Sequence, residues 1–297
     1  MAILCASAGL AALSAVGALG GTFRGFDLRL PWLITASFLG GALNAVAGGG
    51  SFLTFPAMLG VGLGPIQANA TNTLALWPGQ LTSIAGYWEE VRKHRELAVR
   101  MAAGGLVGGI AGALVLLHTP ATTFLALVPW LLLFAALIFA LSEPVMKWLQ
   151  RRAATKARQQ VGGVGVLASG GGIEAKPRNR WPLVLATAVV CFYIGYFGAG
   201  AGFLIISLLS VFGFQDLNEM NAMKVVSTTM ANGVACLLFA FSGKVEWHFC
   251  LAAMGTCALG GYLSARVAKR ANPRVLRMVV VCVGLGMAGY FFWRNHR

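Results

Sequence analysis

The chain has 297 residues, of which 58% are hydrophobic and only 11% are charged. A soluble domain carries about 25% charged residues, so this composition excludes an ordinary soluble enzyme, a disordered protein and a disulfide scaffold. The apolar runs are continuous rather than alternating, which predicts an all-α integral membrane protein and not a barrel.

The chain divides into four regions along its length. The apolar run 1–21 lacks the basic start of a secretory signal and is predicted to be a retained N-terminal transmembrane helix. Residues 31–142 form a first transmembrane repeat, 143–181 a basic cytoplasmic linker rich in Lys, Arg, Gln and Gly, and 182–293 a second repeat. The apolar segments of the two repeats are 31–62, 67–88, 97–117 and 121–142, then 182–213, 218–242, 247–265 and 275–293.

When the first repeat is shifted by 152 positions, it aligns with the second without a gap from 47 to 109, since Gly48 falls on Gly200 and Asn69 on Asn221. Internal duplication is common among membrane transporters. Chance matches of glycines, which are frequent in membrane helices, are the alternative explanation.

The first segment of each repeat, 31–62 and 182–213, is too long for one crossing. A straight helix of that length would span about 48 Å, against a hydrocarbon core of about 30 Å. Glycines interrupt both segments near the middle. We therefore predict that each repeat opens with a glycine-broken helical hairpin that returns to the side from which it entered.

The positive charge serves as a guide to topology. Most of the net charge of +14 lies in 89–100, 143–181 and 266–277. The positive-inside rule places all three stretches in the cytoplasm if 182–213 is a returning hairpin. The two repeats then have opposite orientations in the membrane, although the basic C-terminus, with Arg294 and Arg297, would lie outside. Nucleic-acid binding is the weaker interpretation of this charge, and no nucleic-acid partner is expected.

The glycine breaks are candidate substrate-binding elements. Glycines allow the backbone to leave the helix, and a helix that restarts after the break directs its positive end at an anion. Close packing of helices through small residues is the alternative. The candidates are Gly48, Gly49, Gly50 and Ser51 in the first repeat and Gly198, Gly200 and Gly202 in the second.

Polar residues beside or after the breaks are further candidates, because amides and hydroxyls within a bilayer need partners and an oxyanion can be one. Capping of the following helix is the alternative for Asn69 and Asn221, and contacts with other helices are the alternative for the rest. These candidates are Asn44, Asn69, Thr71, Asn72, Thr73, Asn221, Ser227, Thr228 and Asn232.

Lys224 is the most informative single residue, because a cation within a membrane segment is costly and indicates function. We expect it to bind the substrate or to act in gating. Snorkelling to the interface and pairing with Glu219 or Asp216 are the alternatives.

The chain lacks HExxH, GxSxG and Walker motifs, and no carboxylate lies in the middle of an apolar segment. We therefore expect no enzymatic activity, no cofactor and no metal, and no obvious proton relay. A coupling ion, H+ or Na+, is left open.

Two sets of motifs resemble those of the sulfite exporter TauE/SafE family. The first is the run 44–56 followed by 68–73, and the second comprises 221–224, Asn232 and 242–247. The resemblance covers about 31–293 and implies a multi-pass inner-membrane permease for sulfite, sulfonates or other small organosulfur anions. One departure is that Leu208 stands where the first repeat has Pro56.

The expected function is therefore transport of a small anion by alternating access between the two repeats. Transport of small organic carboxylates is one alternative, and a non-transporting assembly or scaffold subunit of the membrane is another. A membrane enzyme has the least support.

Overall fold

The computed structural model describes residues 29–47, 49–138, 140–141, 181–214, 216–267 and 273–295, and these are helical apart from short connections. The first half contains α1 (Arg29–Ala47), α2 (Ser51–Gly60), α3 (Pro65–Gly86), α4 (Trp88–Lys93), α5 (Arg95–His118) and α6 (Ala121–Ile138). The second half contains α7 (Trp181–Tyr196), α8 (Ala201–Val211), α9 (Leu217–Phe241), α10 (Trp247–Val267) and α11 (Pro273–Asn295). The predicted helix 1–21 and the linker lie outside the described residues, except that Trp181 already belongs to α7.

The long first segment of each half is broken at the position that its glycines predict. α1 ends at Ala47 and α2 begins at Ser51, while α7 ends at Tyr196 and α8 begins at Ala201. α2 and α8 have 10 and 11 residues, or roughly 15 Å each, which is too short to cross a bilayer.

The two halves follow one layout. α7, α9, α10 and α11 begin 152 residues after α1, α3, α5 and α6, respectively. The packing is reciprocal as well, since α1 lies against α10 of the other half and α7 lies against α5. Equivalent glycines allow both close approaches. A methyl group added to Gly108 would overlap the carbonyl oxygen of Ala188, and one added to Gly260 would overlap that of Phe38.

Two polar contacts show the relative direction of α3 and α9. Gln67, near the start of α3, donates from Nε2 to Oε1 of Glu246, which follows the end of α9, over 3.4 Å. In the equivalent contact, Glu219 near the start of α9 lies 3.0 Å from Nδ1 of His94, which follows the end of α3. Because the start of each helix lies beside the end of the other, α3 and α9 run in opposite directions.

Many large apolar side chains of the described helices are exposed, among them Val107, Val189 and Leu251, as expected for surfaces that face a bilayer. Of the described helices, α5, α6 and α9 are long and apolar enough to cross a membrane. Trp181 and Trp247, at the first positions of α7 and α10, are exposed, as expected for aromatic side chains at a membrane interface. Several helices of this length and composition indicate a multi-pass membrane protein.

The buried residues form two clusters. One joins α2, α6 and α11 through Phe52, Phe124 and Phe291. The other joins α5, α8 and the first half of α9 through Met101 and Ile205, among others. α3 and α9, which pack against each other, carry many of the polar residues of the candidate site.

Candidate functional site

The break between α7 and α8 requires glycine. Gly198 and Gly200 have φ angles of +79° and +74°, which lie in the left-handed region that other residues adopt only with strain. The hydroxyl of Tyr193 donates to the carbonyl of Ala199 over 2.8 Å and fixes the turn. α8 therefore begins at Ala201, directly after the left-handed Gly200, and its first backbone N–H groups lie at the break.

A cavity of about 490 Å³ opens beside this break. Its volume lies within the range of about 300–1,000 Å³ that is typical of ligand sites. Both polar and apolar side chains line it. The lining residues are Asn44, Gln80, Ser83, Tyr87, Ile194, Gly198, Ala201, Gly202, Phe203, Ile206, Leu217, Asn221, Lys224, Val225, Thr228 and Asn232.

Lys224 provides the positive charge of this cavity. Its Nζ donates to Oδ1 of Asn221 over 2.9 Å, and its side chain passes Gly202 in the first turn of α8. The two carboxylates considered as partners are engaged elsewhere, because Glu219 contacts His94 and Asp216 accepts from the backbone of Asn218. Among the described lining residues there is no carboxylate to neutralise the lysine.

An amide pair lies where the cavity meets the crossing of α3 and α9. Asn232 donates from Nδ2 to Oε1 of Gln80 over 2.9 Å, and the hydroxyl of Thr229 donates to the carbonyl of Gln80 over 3.4 Å. From this pair the cavity extends past Thr228 toward the end of α3 and the start of α9, where Leu217 is 37% exposed.

The equivalent region of the first half is closed. Thr54 donates to Oδ1 of Asn72, and Asn72 donates to the hydroxyl of Ser51 over 3.2 Å. Asn69 donates to the carbonyl of Tyr196 over 3.1 Å. A methyl group added to Gly50 would lie 2.6 Å from the carbonyl oxygen of Gly40. Asn69 and Asn72 are therefore buried in protein contacts, whereas the equivalent Asn221 and Lys224 line the cavity.

The structure thus brings only part of the predicted site together. The predicted residues that line the cavity are Asn44, Gly198, Gly202, Asn221, Lys224, Thr228 and Asn232. Those placed elsewhere are Gly49, Gly50, Ser51, Asn69, Thr71, Asn72, Thr73, Gly200 and Ser227, while Gly48 lies outside the described residues.

Several of the residues placed elsewhere serve the packing. The hydroxyl of Thr71 accepts from the backbone N–H of Glu246 over 3.1 Å. Thr73 and Ser227 each donate to a carbonyl of their own helix. Gly200 forms the turn before α8 without lining the cavity.

Sequence reasoning missed Gln80, Ser83, Tyr87 and Phe203 as lining residues. For Gln80 the signal was present, because the offset of 152 positions that aligns the repeats places Gln80 on Asn232, a predicted site residue. As for metals, the described residues contain no group of three or more His, Cys, Asp or Glu side chains placed to hold an ion.

Comparison with known proteins gives one consistent result. The profile of the family described as "Sulfite exporter TauE/SafE" matches residues 33–291. No solved structure shows a significant match.

The curated relatives agree in their descriptions. The chain is 27% identical to "Probable membrane transporter protein ORF9" of Sinorhizobium sp, over 87% of this chain and 90% of that protein. It is 25% identical to "Probable membrane transporter protein YfcA" of Escherichia coli K12, over 93% and 95%. A "Probable membrane transporter protein" of Haemophilus influenzae is 24% identical, over 89% and 94%.

Proposed function

We propose that this protein carries a small anion across the inner membrane, since the chain belongs to the sulfite exporter TauE/SafE family of membrane transporters. Sulfite, a sulfonate or another organosulfur anion is the proposed substrate. The observation that carries this proposal is Lys224, an unneutralised cation beside the start of α8 in a cavity with amide and hydroxyl side chains. Such a combination favours an oxyanion.

The proposed mechanism is alternating access between inverted repeats. The opposite directions of α3 and α9 support it, as does the cavity beside the glycine break of the second half, where the first half has closed packing. The cavity reaches the face where α3 ends and α9 begins. With 89–100 in the cytoplasm, as the positive-inside rule predicts, this face is the cytoplasmic one, and the conformation is open inward.

A ligand panel tests the proposal. Detergent-purified protein is screened by thermal shift against sulfite, sulfate, thiosulfate, taurine, sulfoacetate and small carboxylates, and flux of the best ligand is then measured in proteoliposomes. A sulfur oxyanion should give the largest stabilisation and a saturable flux. Stabilisation by carboxylates alone would move the substrate class to organic acids. Flux of no anion at all would contradict transport and favour a scaffold role.

A further inference from the structure

Gln80 has the features of an anion-binding residue, although no motif identified it. Its Oε1 accepts from Asn232, and its amide nitrogen carries two further N–H groups at the cavity wall. Within the described part of the chain, no acceptor is bonded to that nitrogen. A pair of side-chain amides joined by one hydrogen bond keeps three N–H donors and one carbonyl for other partners, so the pair offers donors to whatever occupies the cavity.

The position of Gln80 in the repeat is as informative as its chemistry. Gln80 and Asn232 are 152 residues apart and bond to each other, and so do Trp77 and Thr229, through the indole N–H and a carbonyl at 3.1 Å. Two residues at equivalent positions can contact each other only beside the axis that relates the halves. The amide pair therefore lies on the pseudo-twofold axis.

A residue on that axis keeps its place when the two halves exchange conformations. Lys224 differs, because it precedes Asn232 by two turns of α9, or about 12 Å along the helix, and lies toward the face to which the cavity now opens. The counterpart of Lys224 in the first half is Asn72, a neutral residue that is 1% exposed.

We propose that Gln80 is a substrate-binding residue that contacts the anion in both access states, whereas Lys224 attracts it from the cytoplasmic side. This inference rests on the proposed transport function. The proposed substrate site then includes Gln80 at the pseudo-twofold axis, and Gln80 contacts the anion during both inward and outward transport.

Gln80→Glu is the test variant. The glutamate keeps an oxygen that accepts from Asn232, so the bond between the halves is preserved, but it replaces the free NH2 group with a charge that repels anions. Uptake of sulfite and of the other panel anions is measured in inside-out and right-side-out membrane vesicles from cells expressing the full chain. Thr82→Ala is the control, since Thr82 is exposed, neighbours Gln80 on α3 and bonds only within its own helix.

We expect Gln80→Glu to raise the KM for sulfite at least tenfold in both kinds of vesicle, with the thermal stability of the purified protein unchanged. Lys224→Gln should raise it mainly in inside-out vesicles. If wild-type vesicles transport sulfite and Gln80→Glu matches them in either orientation, the role of Gln80 is wrong and the proposed function survives. If wild-type vesicles carry none of the panel anions, both proposals fail.

Discussion

Replacing Lys224 by methionine tests the electrostatic basis of the site. Methionine keeps an unbranched apolar chain of similar length that can pass Gly202, so the loss of the charge is the main change. Asn221 loses a donor but is only half-buried, and water can replace it.

The expected magnitude follows from the distance and the surroundings. An ammonium and an oxyanion about 4 Å apart attract each other by about 1 kcal/mol in water and about 4 kcal/mol at an effective dielectric constant of about 20. The cavity is half polar and open at one end, which places Lys224 between these limits. A loss of about 2 kcal/mol corresponds to an affinity that is roughly 30-fold weaker.

Isothermal titration of the purified protein with the best anion of the panel, in chloride-free buffer, measures this loss. Lys244→Met is the matched control. It removes the same net charge as Lys224→Met, but Lys244 is exposed in the connection between α9 and α10. We expect a change of less than twofold for Lys244→Met. Equal effects of the two variants would indicate a general charge effect, and an unchanged dissociation constant for Lys224→Met would remove the lysine from the site.

Three further predictions concern the cavity volume, the helix packing and the access of solvent to the cavity. Gly202→Leu should fill the cavity beside Lys224 and weaken anion binding more than tenfold in titrations, whereas Gly202→Ala, whose methyl group would make an ordinary contact at 3.4 Å, should bind normally. Gly108→Leu should lower the melting temperature sharply, because overpacking costs about 1–3 kcal/mol or more, while Gly286→Ala, with no atom within 4 Å of the added methyl, should not. In a background without native cysteines, Thr228→Cys should react with a membrane-impermeant thiol reagent in inside-out vesicles. Leu76→Cys, at the equivalent buried position, should not react. Reaction of Thr228→Cys in right-side-out vesicles alone would reverse the assigned orientation.

The fold could be predicted closely because hydrophobicity and glycine act locally. The start of every described segment lies within two residues of its prediction, and both hairpins break at the expected glycines. The hydrophobic pattern does not predict the short helix α4, since its six residues carry two acidic and two basic side chains and none is buried.

The site could be predicted only in part, because sequence equivalence does not determine which half is open. Asn69 and Asn221 are equivalent in sequence, yet the first is buried against the carbonyl of Tyr196 and the second lines the cavity. Two packings of one chain differ by only a few kcal/mol, and residue types at repeat positions carry no information on such a difference. Gln80 was missed for another reason, since a lone amide matters only once its partner across the axis is known.

The side chains that differ between the halves give the proposed exchange a chemical consequence. In the closed first half, Asn72 is held by Ser51 and Thr54. The positions equivalent to those two hydroxyls in the second half are Phe203 and Ile206. Both already line the cavity with Lys224. If the second half closes in the same way, Lys224 loses the open, polar part of the cavity and is left against these two apolar side chains, which cannot pair with it, and this is costly for a charge. A bound anion offsets that cost by neutralising the lysine, so closure with substrate is favoured over closure without it. Within the proposed mechanism, the lysine therefore gives a physical reason for the halves to exchange when the anion is present and not when the site holds water alone.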